Sequence, residues 1–85
     1  MKISFTGDGW ADYVSWTTER TILKRINRMI EEAARDPAIG IGKPERLSHN
    51  LSGYWSRRIT DEHPLIYKIV DDGIRIAACR YHYGG

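Results

Sequence analysis

Along this chain the apolar residues recur first with the period of a helix and then, past a break of glycine and proline, with the period of a strand. Ile22, Leu23, Ile26, Met29, Ile30, Ala33 and Ala34 fall on one continuous stripe when wound at about 3.6 residues per turn. The spacing predicts a helix over residues 20–35, with Arg20, Lys24, Arg28, Glu31 and Glu32 on its solvent face. Such a stripe is core rather than a cofactor site. Asp36-Pro37 ends the helix, because a residue before proline is pushed out of the α region. Gly40-Ile41-Gly42-Lys43-Pro44 then reads as a loop.

Upstream, Lys2 to Thr6 alternates as a short half-buried strand. Thr6 or Asp8 is placed to cap a first helix, in which Trp10, Tyr13, Val14 and Trp16 recur at helical spacing to about residue 18. Downstream, Tyr54 to Ile59 reads as a strand with Trp55, Arg57 and Ile59 on one face and Tyr54, Ser56 and Arg58 on the other. Leu65 to Val70 is a second strand, Asp71-Asp72-Gly73 a hairpin turn, and Ile74 to Tyr81 a third strand. That third strand is expected to place Ile74, Ile76, Ala78 and Arg80 on one face. The order β-α-α-β-β-β predicts an α+β fold, two helices packed on one face of a mainly antiparallel sheet. The other sheet face is left free.

Length limits what else the chain can hold. Eighty-five residues make one domain with one small core. No apolar run approaches a membrane span or a secretory signal, so the expected setting is the cytoplasm, away from any membrane. The single Cys79 lies in an apolar strand and reads as core, and no Cys/His cluster suggests zinc, so neither metal nor cofactor is expected. Residues 1–42 carry six charges of each sign, whereas residues 43–85 carry seven positive and five negative. Lys43, Arg46, Arg57 and Arg58 face only Glu45 within residues 43–58, and His49, His63 and His82 all lie in the same half. An anionic partner such as RNA fits that half; so do ordinary solvated sheet edges.

Nucleotide-binding loops and hydrolase elbows are missing from the sequence. What remains is a candidate acid/base pair. Glu45 follows Lys43-Pro44, and His82 sits in Arg80-Tyr81-His82-Tyr83. RNA carries its own nucleophile, the 2′-hydroxyl, so a carboxylate that takes its proton and an imidazolium that protonates the departing 5′-oxygen would suffice, with arginines on the phosphate between them. Read from spacing alone, a surface glutamate and a terminal histidine are the better explanation of these residues. Lys43, Arg57 and Arg80 are candidate RNA contacts; His49 could touch phosphate or be solvated, and His63 reads as a structural turn residue. Tyr83 is the tyrosine best placed to stack on an unpaired base.

Gly42-Lys43-Pro44-Glu45, His49-Asn50-Leu51-Ser52-Gly53, Trp55-Ser56-Arg57-Arg58-Ile59-Thr60, Glu62-His63 and Cys79-Arg80-Tyr81-His82-Tyr83 stand in an order that closely resembles the YoeB toxins of the RelE/ParE superfamily. Trp10, Asp12-Tyr13, Trp16 and Lys24-Arg25-Ile26-Asn27 extend the resemblance over essentially the whole chain. The resemblance implies a RelE-like microbial ribonuclease fold and metal-independent, ribosome-dependent cleavage of messenger RNA in the A site, blocking translation. It implies inhibition by a YefM-type antitoxin, binding of operator DNA only as the toxin–antitoxin complex, and a possible homodimer. It further implies Glu45 as general base, His82 as general acid, Tyr83 as a residue ordering the substrate and Arg58 as a phosphate contact. One departure stands out: Pro64 occupies the position of a family arginine that stabilises the transition-state phosphate. An attenuated relative, binding antitoxin or ribosome without efficient cleavage, is therefore the alternative, and a plain nucleic-acid-binding domain of the ParE kind a weaker one.

Overall fold

The helix predicted over residues 20–35 is α2, Arg20–Arg35, in the computed structural model, which describes residues 1–82. Its stripe is inside as expected: Ile26, Met29, Ile30, Ala33 and Ala34 are buried, and Ile22 and Leu23 pack at the margin. α1, Gly7–Ser15, is shorter than the spacing predicts, because the chain turns at Trp16. The Thr6 hydroxyl accepts the Gly9 N–H at 3.0 Å and caps the helix. Gly9 lets α1 lie directly on the sheet, since a Cβ there would stand 2.3 Å from the Ile76 carbonyl oxygen. Trp10 faces outward, half exposed and stacked on Tyr13, whereas Trp16 turns inward and donates its indole N–H to the Cys79 carbonyl at 2.8 Å.

Five strands follow one another across the sheet: β1 (Lys2–Phe5), β5 (Gly73–Ala78), β4 (Pro64–Val70), β3 (Tyr54–Arg58) and β2 (Glu45–Arg46). β1 runs parallel to β5, and the other pairs are antiparallel. The α+β class and the single helical layer are as expected. β2 and a 3₁₀ turn at His49–Leu51 are additions to the expected order. Two residues carry no readable period, and β2 exists because it docks on β3, pairing Glu45 with Ser56 and Arg46 with Trp55.

The last strand departs from simple alternation. A register shift falls where β4 steps from Ile66 to Tyr67 while β5 steps from Ala78 to Ile76, leaving Ala77 over. The inward phase therefore jumps: Ile74, Ile76 and Cys79 are buried, not Ala78 and Arg80. Phe5, Ile76, Tyr67 and Trp55 cross the covered face as one row of partners and meet α1 and α2. Each fully buried aliphatic chain in this layer contributes about 1.5–3 kcal/mol.

Candidate functional site

The other face of the sheet carries the polar residues. Partners across the strands share a face, so Glu45, Ser56 and Ile66 form one row, and Arg58 and Pro64 begin the next. Gly42 and Lys43, both with positive φ, turn the chain into β2, and the Gly42 carbonyl accepts the Arg58 N–H. From α2, Arg25 donates to the carbonyls of Ile59 at 2.7 Å and Arg58 at 2.9 Å, fixing the end of β3 from behind. The strand that carries Arg58 is thus held by the helix that the sequence most clearly encodes.

Beyond β3 the chain makes a tight turn. The Thr60 hydroxyl accepts the N–H groups of Glu62 and His63. His63 Nδ1 then accepts the Tyr81 N–H at 2.9 Å, which leaves the ring proton on Nε2, donated to Glu62 Oε1 at 3.1 Å. The His63 ring meets Trp16 edge-on at 5.0 Å. These ties close a cleft of about 300 Å³, whose walls include Lys43, Glu45, Ser56, Arg58, Glu62, His63, Pro64 and Tyr81. The carboxylates of Glu45, Asp61 and Glu62, the cations Lys43 and Arg58 and the ring of Tyr81 converge on one open hollow.

Of the other expected site residues, Arg57 borders the cleft without offering its side chain to it, and Arg80 and His49 lie outside it. Arg57, expected to contact RNA, points into the covered face with its side chain wholly buried. Its guanidinium donates to Tyr67 Oη at 3.0 Å and to the carbonyls of Asp36, Ile39 and Ile41, four of its five N–H groups, with Glu32 3.9 Å away, and the wholly buried side chain offers nothing to a phosphate in solvent. Arg80 is also spoken for. It lies 3.6 Å over the Trp16 ring, donates to Ser15 Oγ at 2.8 Å and reaches Glu19 at 3.7 Å, so it braces the end of α1 rather than the cleft. His49 is exposed in the 3₁₀ turn, outside the cleft.

His82 is the main departure. Its Nε2 stands 2.6 Å from Asp12 Oδ1 on α1, while Asp12 Oδ2 accepts the Cys79 N–H at 3.0 Å. His82 therefore belongs to a separate hollow with Asp8, Ala11, Asp12, Ala77 and Ala78, and Glu45 and His82 share no groove in this structure. The chain passes from one hollow to the other between Tyr81 and His82. Tyr83 lies outside the described residues. Sequence reasoning missed His63 as a cleft residue and Asp12 as an anchor. Asp12 stands two turns from α1's cap with no spacing signal, but the adjoining Glu62-His63 pair was visible.

Burial and charge set the protonation of the surroundings. Cys79 is fully buried, and desolvation, with Asp12 adding to it, pushes its thiol up to about 12, so it is a core residue and no nucleophile. Desolvation likewise raises the Tyr67 hydroxyl, partly offset by Arg57. Among the described residues no group of three His, Cys, Asp or Glu side chains is placed to hold a metal ion. No helix among them is long and apolar enough to cross a membrane.

Residues 5–83 match the family described as the YoeB-like toxin of a bacterial type II toxin–antitoxin system. The Streptomyces coelicolor toxin YoeB is 57% identical over 84 residues, covering 98% of this chain and 100% of that protein. The Escherichia coli K12 toxin YoeB is 54% identical with the same coverage. Among solved structures, a YoeB/ParE toxin from Agrobacterium tumefaciens superposes with a TM-score of 0.91 at 41% identity, covering 98% of this chain and 100% of that one. The toxin in a heterotetrameric YoeB–YefM complex from Staphylococcus aureus gives 0.90 at 41% identity, covering 98% of each chain.

Proposed function

The chain belongs to the YoeB-like toxins of bacterial type II toxin–antitoxin systems, and from that membership we propose that it is an endoribonuclease that cuts messenger RNA in the ribosomal A site. The observation that carries the reading is the convergence of Glu45, Arg58 and Lys43 on one open cleft beside Tyr81. Glu45 takes the proton of a 2′-hydroxyl; the 2′-oxygen bonds to phosphorus as the bond to the 5′-oxygen breaks; His82, as imidazolium, protonates that oxygen. Arg58 and Lys43 draw off charge on the phosphoryl oxygens. The protons balance between the two side chains, so the step calls for no metal.

This reading requires His82 to exchange Asp12 for substrate. Its side chain is 63% exposed and follows directly on Tyr81, so a change of a few torsions at the chain's end brings it round. His63 is in the cleft already, but both ring nitrogens are occupied, one by a main-chain N–H and one by Glu62. It serves as a positioning residue for the Tyr81 backbone.

By analogy with the S. aureus complex, a YefM-type antitoxin is the partner that silences the toxin, and operator DNA would be bound only by the pair; a homodimer is the corresponding free form. A second reading is favoured by two observations. Pro64 stands on the cleft wall, at the position where the resemblance to the YoeB toxins implies an arginine, and His82 is engaged by Asp12. The chain is then an attenuated relative that occupies ribosome or antitoxin without efficient cutting. A translation reaction with the protein, with Glu45→Ala and with His82→Gln, separates the two. Cleavage that drops at least about a hundredfold in both variants supports the nuclease; arrest without cleavage, unaltered by either change, supports the second reading.

A further inference from the structure

The open sheet face continues past the Glu45 row into a second row that no part of the proposed chemistry uses. Tyr54, Lys68, Arg75 and Ser4 are successive partners on β3, β4, β5 and β1. They share the face of Glu45 and Ser56, one strand repeat further along, about 7 Å away. Lys68 and Arg75 are exposed and are direct cross-strand partners. Like charges set opposite each other in a sheet are destabilising. Among the described residues neither has a carboxylate in ion-pair range, whereas Lys2, at the same end of the sheet, is paired with Asp72. The Lys68 ammonium lies 5.4 Å over the Tyr54 ring, so the row ends in an aromatic platform beside a cation.

Two unneutralised cations on an antiparallel face, next to an aromatic ring and continuous with a polar cleft, fit a polyanion carrying planar bases better than a folded protein surface. We infer that Lys68 and Arg75, with Tyr54, form a track that grips the backbone of single-stranded RNA as it runs out of the Glu45 cleft across the sheet. The inference rests on the ribonuclease reading for the identity of the strand. The track supplies binding remote from the reacting phosphate, a different contribution from that of the arginine replaced by Pro64. A bound phosphate would also relieve the Lys68–Arg75 repulsion, so the row is less stable empty than filled.

The test separates this claim from the cleavage reading by measuring binding alone. A fluorescently labelled single-stranded RNA oligonucleotide is titrated with the full chain carrying Glu45→Gln, with and without Lys68→Gln and Arg75→Gln, over a series of salt concentrations. The expected result is about tenfold weaker binding at low salt and a slope of log affinity against log salt shallower by about 1.4, two phosphates' worth. The double variant should melt no lower than its parent, which shows that the loss is not unfolding. Unchanged affinity and slope overturn the track. So does a double variant that binds RNA normally but no longer binds a YefM-type antitoxin, which would assign the row to the protein partner. Neither outcome bears on whether Glu45 and His82 cut RNA.

Discussion

Arg57 and Arg58 are neighbours on β3, and the pleat sends them to opposite fates. Arg57 enters the covered face and spends its donors on Tyr67 and three loop carbonyls, tying residues 36–41 to the sheet. Arg58 stays on the open face, its side chain having among the described residues only a loose, exposed 4.0 Å contact to Asp61, and is available to a ligand. The same residue type is structural where its polar groups are matched by the fold and functional where they are left over. The covered face is complete in itself, with no buried side-chain nitrogen or oxygen unpartnered among the described residues. The open face carries Glu45, Arg58, Lys68 and Arg75 with little protein to answer them.

Exchanging the two arginines' environments breaks the comparison most forcefully. Arg57→Met withdraws the donor from the Asp36, Ile39 and Ile41 carbonyls and leaves the Tyr67 hydroxyl only its bond to the Pro37 carbonyl, and should cost about 3 kcal/mol or more. Arg58→Ala should cost less than about 1 kcal/mol while lowering RNA cleavage. Thermal unfolding of both variants checks the first half, and equal destabilisation would contradict it. The next largest effect concerns Pro64, the direct cross-strand partner of Arg58. Pro64→Arg sets a second guanidinium beside the first, and RNA cleavage should rise about a hundredfold. An unchanged rate would remove position 64 from the chemistry of this chain.

The smallest effect tests the covered face by pH. Hydrogen bonds from the Ile41 N–H and from Arg28 hold the Glu32 carboxyl below its usual range, against a smaller opposing effect of burial. A depressed folded value means that this stabilisation is complete above the ordinary carboxylate range and is lost as pH falls through the lowered value. Glu32→Gln should therefore be less stable than the parent at pH 7, with the gap closing in acid. Denaturant melts at pH 7 and about pH 3 measure it, and a gap that widens in acid would be the wrong sign.

How far the sequence foretold this division differs between the two faces. α2 was legible because seven apolar residues fix one helical face, and β3 because its alternation runs without interruption. The same alternation put Arg57 with Trp55 and Ile59, which was already the signal that it turns inward; composition pulled the other way, toward counting every cation near Glu45 as an RNA contact. β2 was illegible because two residues have no period. The inward turn of Cys79 was illegible because the extra Ala77 in β5 shifts the phase, and nothing local in Ala77-Ala78 announces it. At the site, the open-face position of Arg58 followed from the alternation of β3, but the place of Glu45 depends on the unpredicted β2, and the hold of Asp12 on His82 spans 70 residues of chain and is visible only in three dimensions.

The identity of the RNA ends left by cleavage bears most directly on the acid/base assignment. Attack by the 2′-oxygen, with Glu45 as base and His82 as acid, leaves a 2′,3′-cyclic phosphate on the upstream fragment and a 5′-hydroxyl on the downstream one. Both ends should disappear together in Glu45→Gln and in His82→Gln. Fragments ending in 3′-hydroxyl and 5′-phosphate, or cyclic phosphate formed as fast without either side chain, would contradict the assignment.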